Sequence, residues 1–256
     1  MARSGFSTAP RFSPDPWLAE SLGRPAFRLA SEGVGRRDGT LAVEMAGLAG
    51  SGDAFFYAKL PTSDVQECIA LADAGFAVID TAITLSSSGG TQTAAGDYDV
   101  GIASHDQYEA IPKIAETCFR LSRFHLDPKI PMSAANSIKR RWLESYVQGT
   151  RGSALYTAAR DGQVAGFLAA IEYSVTGRPT AVIDLLGVAE EHQRRGAGAA
   201  LVRHFVNDWR GRASELRVGT QAANIRSLRL YENSGFRIVE SNYVLHAHYR
   251  HGEILR

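Results

Sequence analysis

The chain has 256 residues, 45% of them hydrophobic, and a formal net charge of +1. The length allows one large domain or two small ones, and the hydrophobic content excludes a chain that is disordered throughout. Because the charge is nearly balanced, the chain has no general attraction to nucleic acid or to an anionic membrane, and we expect neither as a partner. No apolar run is long enough to span a bilayer, and the first residues lack the apolar stretch of a signal peptide, so we expect a cytoplasmic protein.

The first part of the chain predicts a small β-α-β unit. Its expected elements are, in chain order, a strand over 55–60, a helix from about 62 to 74 and a strand over 76–85. The polar, Gly-rich segment 86–96 has no periodicity and indicates a linker. We therefore predict an N-terminal α/β unit over residues 1–96, frayed to about Pro16, and a second domain over residues 97–256. No internal repeat is evident.

The second domain predicts helices and strands in alternation. Its expected elements are a strand over 99–102, a helix over 106–121, a loop over 122–128, a helix over 138–147, strands over 154–160, 163–173 and 181–188, a helix over 198–209, a strand over 215–220, a helix over 224–234 and two closing strands. Asp161-Gly162 joins two apolar runs and predicts a tight hairpin turn, because both positions need a positive φ. An antiparallel start followed by a β-α-β-α-β close indicates the α+β class with a mixed sheet.

The segment 183–201 runs from an apolar strand through a glycine-containing turn into an amphipathic helix. Gly196 and Gly198 allow the backbone to turn tightly and to approach a ligand closely. The backbone N–H groups at the helix start can then bind a pyrophosphate, with Arg194 and Arg195 adding local charge. The absence of a following Gly-Lys-Ser/Thr excludes a P-loop, and the pattern also lacks the glycines of a dinucleotide fingerprint. The remaining alternative is an ordinary helix start that contains two glycines.

The stretch 193–198, Gln-Arg-Arg-Gly-Ala-Gly, resembles the Gln/Arg-x-x-Gly-x-Gly/Ala signature of the GNAT superfamily of N-acetyltransferases. Downstream, Asn224 and the run 231–236, Tyr-Glu-Asn-Ser-Gly-Phe, resemble its second signature at the spacing that the family uses. The resemblance covers the chain from about Val100 onwards. It implies a GNAT fold with a mixed, splayed central sheet, and acetyl-CoA as co-substrate without a metal. The cofactor-binding residues that it implies are Leu186, Gly187, Val188, Gln193, Arg194, Arg195, Gly196, Ala197, Gly198, Ala199, Asn224 and Tyr231.

Acetyl transfer to an amine requires a neutral amine, a donor for the oxyanion and a proton for the departing thiolate. A backbone N–H group near residues 186–188 can donate to the oxyanion, and the resemblance implies that Tyr231 is the general acid. Asp184 and Glu172, carboxylates on predicted central strands, are candidate bases, although each is equally well explained as an exposed strand residue. His125 and a water relay are the alternatives. Cys118, like Cys68, is expected to be a free thiol rather than a disulfide or metal ligand.

The two-part layout, the run Ser122-Arg123-Phe124 and Trp142 also resemble the TDP-fucosamine acetyltransferases, a nucleotide-sugar branch of the superfamily. This narrower resemblance implies that the acceptor is the amine of a nucleotide-linked amino sugar, a polysaccharide precursor. The chain departs from that branch at Asp184, where the branch has a small residue.

The acceptor site is expected in the loop 122–128 together with the N-terminal unit. Arg123 offers a planar fork for a diphosphate, Phe124 a stacking face for a base or sugar, and His125 a position beside the acceptor. Further cations are available at Arg120, Lys139 and Arg140. Three questions stay open: whether the acceptor is another small amine or a protein N-terminus, whether the chain is a CoA-binding regulator without turnover, and whether it forms a homodimer.

Overall fold

A computed structural model of the chain describes residues 11–30, 40–90, 97–175 and 177–256. Its helices are α1 (Pro16–Leu22), α2 (Thr40–Ala49), α3 (Val65–Asp73), α4 (Ala110–Cys118), α5 (Arg123–Leu126), α6 (Met132–Val147), α7 (Ala197–Trp209) and α8 (Ile225–Asn233). Its strands are β1 (Phe12–Pro14), β2 (Ala26–Leu29), β3 (Ala54–Pro61), β4 (Ala77–Ser87), β5 (Asp99–Ile102), β6 (Ala154–Arg160), β7 (Gln163–Val175), β8 (Arg178–Val188), β9 (Glu215–Gln221), β10 (Arg237–Arg250) and β11 (Glu253–Ile254). The predicted α+β class with a mixed sheet is confirmed. In the ranges just given, no helix combines the length and apolar composition needed to cross a bilayer.

The chain divides into two compact units whose boundaries differ from those predicted. Unit 1 comprises the described residues within Met1–Ile79 and Asn242–Arg256. Unit 2 comprises those within Asp80–Ser241. The predicted boundary at residue 96 differs because most of β4 forms its ladder with β9, whereas β10 from Asn242 onwards forms its ladder with β3. Strand partners distant in sequence, rather than local composition, therefore set the division. The last six residues of the predicted linker, 91–96, lie outside the described residues.

Unit 1 has the strand order β1-β2-β3-β10, with β11 paired to β10. The β2–β3 pairing is parallel and the others are antiparallel. Its core residues include Met45, Phe56, Leu71, Phe76 and Leu245. The predicted frayed start is wrong from residue 12 onwards, because β1 pairs with β2 and the Phe12 side chain is buried. Residues 1–10 lie outside the described ranges.

Unit 2 has the strand order β4-β9-β8-β7-β6-β5, in which only β8 and β9 run parallel. The predicted hairpin is confirmed: Asp161 and Gly162 join β6 to β7 with φ values of 52° and 78°. Successive residues of β7 belong to two different hydrophobic core clusters, because successive side chains of a strand point to opposite faces of the sheet. Leu168 packs in the cluster that includes α7, and Phe167 packs in the cluster that includes α4 and α6. Both cysteines are free, as predicted.

The segments β3-α3-β4 and β9-α8-β10 repeat the same layout without a gap. The matching positions are Asp64 and Asn224 before the helix, Leu71 and Tyr231 as its buried residue, Gly75 and Gly235 in the turn after it, and Phe76 and Phe236 before the next strand. The strand registers repeat too: Ala82 lies opposite Gln221, and Asn242 lies opposite Pro61. The second strand of each copy thus pairs with the first strand of the other. Along the two copies, only the Gly pair, the Phe pair and the pair Leu85 and Leu245 are identical, which explains why the sequence shows no evident repeat.

Candidate active site

Unit 2 contains a cavity of about 960 Å³ beside the end of β8 and the first turns of α7 and α8. The end of α4 and the segment that follows it complete the lining. Among the described lining residues, the charged side chains are Arg120, Arg194, Arg226, Arg229 and Glu190. Because the arginines outnumber the single carboxylate, the cavity suits an anionic ligand.

The turn between β8 and α7 presents free backbone donors to this cavity. Gly196, at the N-cap of α7, has a φ of 94° and supplies no side-chain cap. The N–H of Ala200 is bonded to the carbonyl of Gly196, so the N–H groups of the residues between them have no partner within the helix. Arg194 has a φ of 62°, and the Gln193 amide donates to the carbonyl of Val188 at 3.2 Å. The turn is therefore fixed in a shape that can bind phosphate oxygens.

Two glycines keep the backbone open beside the cavity. A Cβ atom on Gly187 would lie 2.6 Å from the Phe167 ring and 2.7 Å from the Cys118 sulfur, so only glycine fits there. A Cβ atom on Gly198 would lie 3.4 Å from Leu230, a distance that a small side chain can accommodate. Gly187 therefore tolerates no added side chain, whereas Gly198 tolerates a small one.

The Cys118 thiol lines the same cavity, a position that no sequence pattern predicted. Burial raises its pKa to about 12. The thiol therefore stays protonated near neutral pH and is a poor nucleophile.

Asn224 and Tyr231 lie at opposite ends of α8. Asn224 lines the cavity and caps the helix, since its side-chain oxygen accepts from the N–H of Ser227 at 3.2 Å. Tyr231 is 4% exposed, does not line the cavity, and packs edge-on against Phe236 with ring centroids 6.0 Å apart. Its hydroxyl has no hydrogen-bond partner among the described residues, and burial raises its pKa. The hydroxyl therefore keeps its proton and is available to a group outside the chain.

Asp184 is held by three donors and does not line the cavity. Its Oδ2 accepts from the Trp142 indole at 2.9 Å, the Tyr146 hydroxyl at 2.7 Å and the Arg151 guanidinium at 2.9 Å. Glu172, the other candidate base, is exposed and lies opposite Ala181, towards the far end of β8. The geometry favours neither carboxylate as the general base, and both assignments stay predictions.

A carboxyl that the sequence did not single out, Asp80, lies at the start of unit 2. It is 7% exposed, and burial raises its pKa to about 6, opposed by hydrogen bonds from the Thr81 backbone and the Gln221 side chain. Gln221 lines the cavity, so Asp80 is one side chain removed from it.

The predicted acceptor residues Arg123, Phe124 and His125 do not line the cavity. Phe124 is buried, and the Arg123 guanidinium stacks on its ring at 4.4 Å. Both ring nitrogens of His125 have partners, Ser122 at 2.6 Å and Asn136 at 3.0 Å, and burial lowers its pKa. Their roles in acceptor binding stay predictions, and the burial of Phe124 does not favour a stacking role.

Lys139 of α6 is a buried cation near these residues. It is 7% exposed, and its ammonium lies 4.9 Å from the Phe119 ring and 4.8 Å from the Trp142 ring. Burial, followed by the charge of Arg123, lowers its pKa to about 8. Within the described part of the chain, no carboxylate lies within ion-pair distance of it.

The structure brings together most of the predicted cofactor residues. Those that line the cavity are Leu186, Gly187, Val188, Gln193, Arg194, Gly196, Ala197, Gly198, Ala199 and Asn224. Those that do not are Arg195, Tyr231, Asp184, Glu172, Arg123, Phe124 and His125. Sequence reasoning missed Arg226 and Arg229. Their three-residue spacing on α8, continued by Asn233, was the signal that could have placed them on one helix face.

The profile of the Acetyltransferase (GNAT) family matches residues 112–236. The chain carries a GNAT acetyltransferase domain. The matched range includes the turn before α7, the cavity-lining face of α8 and Tyr231, so the family match and the cavity coincide in the chain.

Two known proteins are similar in sequence to this chain. Spore coat polysaccharide biosynthesis protein SpsD of Bacillus subtilis is 27% identical over 150 residues, 58% of this chain and 50% of that protein. The chain thus spans about half the length of SpsD. The dTDP-fucosamine acetyltransferase of Escherichia coli is 29% identical over 193 residues, 74% of this chain and 80% of that protein.

A solved structure shows the same fold beyond the GNAT domain itself. The GCN5-related N-acetyltransferase from Kribbella flavida superposes with a TM-score of 0.59 at 13% identity, over 87% of this chain and 80% of that one. The predicted GNAT fold is confirmed.

Proposed function

We propose that this protein is an acyltransferase that transfers an acetyl group from acetyl-CoA to the primary amine of a nucleotide-linked amino sugar. The observation that carries the proposal is the arginine-lined cavity at the turn between β8 and α7. Its backbone donors, its positive charge and its glycines fit a thioester cofactor that ends in phosphates.

Each part of the cavity would hold a different part of the cofactor. The N–H groups that follow Gly196 would bind the pyrophosphate, assisted by the arginines of α8. The cavity-lining end of β8, residues 186–188, would contact the pantetheine arm through its backbone. Gly187 and Gly198 would keep this path open.

Acetyl-CoA would supply the acetyl group as an activated thioester. The protein's part in the reaction is to hold the thioester carbonyl near a backbone N–H group of residues 186–188, where negative charge develops on the oxygen. The Tyr231 hydroxyl would give its proton to the departing sulfur. Burial raises the pKa of Tyr231, so the hydroxyl carries its proton when the reaction begins.

The nucleotide-sugar acceptor is supported by similarity and by charge. One relative is named as an acetyltransferase of dTDP-fucosamine, and another as a protein of spore coat polysaccharide biosynthesis. A buried ammonium such as that of Lys139 is costly without a counter-ion, so an anionic group of the acceptor would offset its desolvation.

A simpler amine is the second candidate acceptor. The observation that favours it is the burial of Phe124 beneath Arg123, which leaves this ring no free face for stacking on a base. A small amine or a peptide N-terminus would not need such a contact.

Release of free thiol from acetyl-CoA tests the proposal. The purified full chain is incubated with acetyl-CoA and, in parallel, a nucleotide-linked amino sugar, the free amino sugar, an aminoglycoside and a peptide. We expect the fastest release with the nucleotide-linked sugar, and none with the same sugar already N-acetylated. Faster release with the free sugar or the peptide would favour the simpler amine. No release with any amine, although calorimetry shows CoA binding, would favour a regulatory module.

A further inference from the structure

We infer that Asp184 is a positioning residue, whose carboxylate anchors a bulge in β8 and so directs the end of that strand into the cavity. The inference rests on the proposed function, because it assigns that end of β8 to the cofactor. It also gives Asp184 a role other than that of general base.

The strand leaves its regular pairing at Asp184 on both sides. Its neighbours Ile183 and Leu185 pair with consecutive residues of β7, so Asp184 has no partner in that ladder. On the other edge, the parallel ladder with β9 ends where Ile183 lies opposite Val218. A bulge bends a strand and redirects the residues beyond it. The residues beyond this one are 186–188, which line the cavity.

Three donors hold the bulged residue from one side. The Trp142 indole and the Tyr146 hydroxyl come from α6, and the Arg151 guanidinium comes from the loop after it. All three converge on Oδ2, at 2.7–2.9 Å. Hydrogen bonds to an ionised carboxylate are stronger than neutral ones, so these three fix both the side chain and the backbone that carries it.

The same contacts argue against proton transfer by Asp184. Its side chain is 14% exposed, and its bonded oxygen faces α6 and the following loop. A general base must reach the amine directly or through one water. Asp184 therefore acts through the path of β8, a role that the sequence pattern of a strand carboxylate does not reveal.

Calorimetric titration of the full chain with CoA tests this role without requiring the acceptor. Asp184→Ala removes the acceptor of all three bonds, and we expect the dissociation constant for CoA to rise at least about tenfold. Asp184→Asn keeps an amide oxygen for the indole and the hydroxyl, so it should recover most of that loss. Tyr146→Phe removes one donor at little change in volume and should cause a smaller rise. In the kcat/KM profile against pH, Asp184→Asn should keep the parent's acidic limb.

Asp208→Ala is the matched control. Asp208 accepts from the Tyr156 hydroxyl and, at 3.1 Å, from Arg212, and none of these three residues lines the cavity. This variant should lose thermal stability and keep the parent's affinity for CoA. Equal affinity losses in Asp208→Ala and Asp184→Ala would overturn the inference, because they would show a general structural effect.

Three further outcomes show whether the inference, the proposed function or both would be wrong. If the parent binds CoA and both Asp184→Ala and Tyr146→Phe bind it equally well, the anchoring role is wrong and the proposed function stands. If Asp184→Asn is as inactive as Asp184→Ala and loses the acidic limb of the kcat/KM profile, Asp184 is the base and not an anchor. Absence of CoA binding by the parent would overturn the proposed function, and this inference with it.

Discussion

The Tyr231 side chain is 4% exposed, and its hydroxyl has no hydrogen-bond partner among the described residues. The matching position in the other copy of the repeat is Leu71, which is equally buried. Packing at this position therefore requires only an apolar side chain of similar size, and the hydroxyl of Tyr231 requires a separate explanation.

Tyr231→Phe should separate chemistry from packing. If the hydroxyl protonates the departing thiolate, turnover should fall roughly a hundredfold or more, whereas the affinity for CoA should stay close to that of the parent. Because no partner is left unpaired, the variant should be as stable as the parent in thermal denaturation. Full turnover under conditions in which chemistry limits the rate would show that Tyr231 serves packing alone.

At the scale of single residues, the sequence predicts backbone sites better than side-chain roles. All of the residues from Gln193 to Ala199 except Arg195 could be placed beside the cavity, because a local turn and a helix start determine their surroundings. The surroundings of Asp184 could not be predicted, because its donors at Trp142, Tyr146 and Arg151 are far away in sequence. The burial of Phe124 and the cations of α8 likewise depend on tertiary packing.

At the scale of elements, the packing of α7 fixes the position of the turn that precedes it. Helix α7 is fixed by its apolar face, which includes Leu201, Phe205 and Trp209, all buried. Its N-terminus is therefore rigid, and the groove beside it cannot widen easily. The helix could be predicted from the local periodicity of its apolar residues. The turn could be predicted from the backbone freedom of its glycines.

Gly198 offers a graded test of the turn. Gly198→Ala adds one atom at 3.4 Å from Leu230 and should cause a small loss of CoA affinity. Gly198→Val adds a branched side chain where the pyrophosphate would approach, and the dissociation constant should rise about tenfold or more. Calorimetry with CoA measures both, with thermal denaturation as the check on folding. If folded Gly198→Val binds CoA like the parent, the turn is not the pyrophosphate site.

At the scale of the whole molecule, the repeat explains why the predicted domains differ from the observed units. Local patterns located β4 within two residues and predicted closing strands after α8, where β10 and β11 lie. They could not show that β4 pairs with β9 and that β10 pairs with β3, because pairing depends on partners far along the chain. The sequence therefore predicted the elements and the GNAT fold, but not which strands pair with each other.

Two fragments test this division. The fragment 80–241 contains every strand of unit 2, including the paired part of β4, and should fold and bind CoA. The fragment 97–256, the predicted domain, lacks β4 and leaves both β9 and the end of β10 with unpaired edges, so it should aggregate. Circular dichroism and size-exclusion chromatography distinguish the two. A soluble, cooperative 97–256 fragment would show that the predicted boundary is the physical one.

The pairing of strands between the two copies of the repeat also determines the order in which the two units can be completed during synthesis. A ribosome makes a chain from its N-terminus, and completed units fold as they emerge. All of unit 2 has been made when Ser241 is added, whereas unit 1 still lacks the strand from Asn242 to Tyr249 that closes its sheet on β3. The edge of β3, made early, therefore waits for a partner that arrives last, and the nascent chain completes unit 2, which contains the cavity, before it completes unit 1.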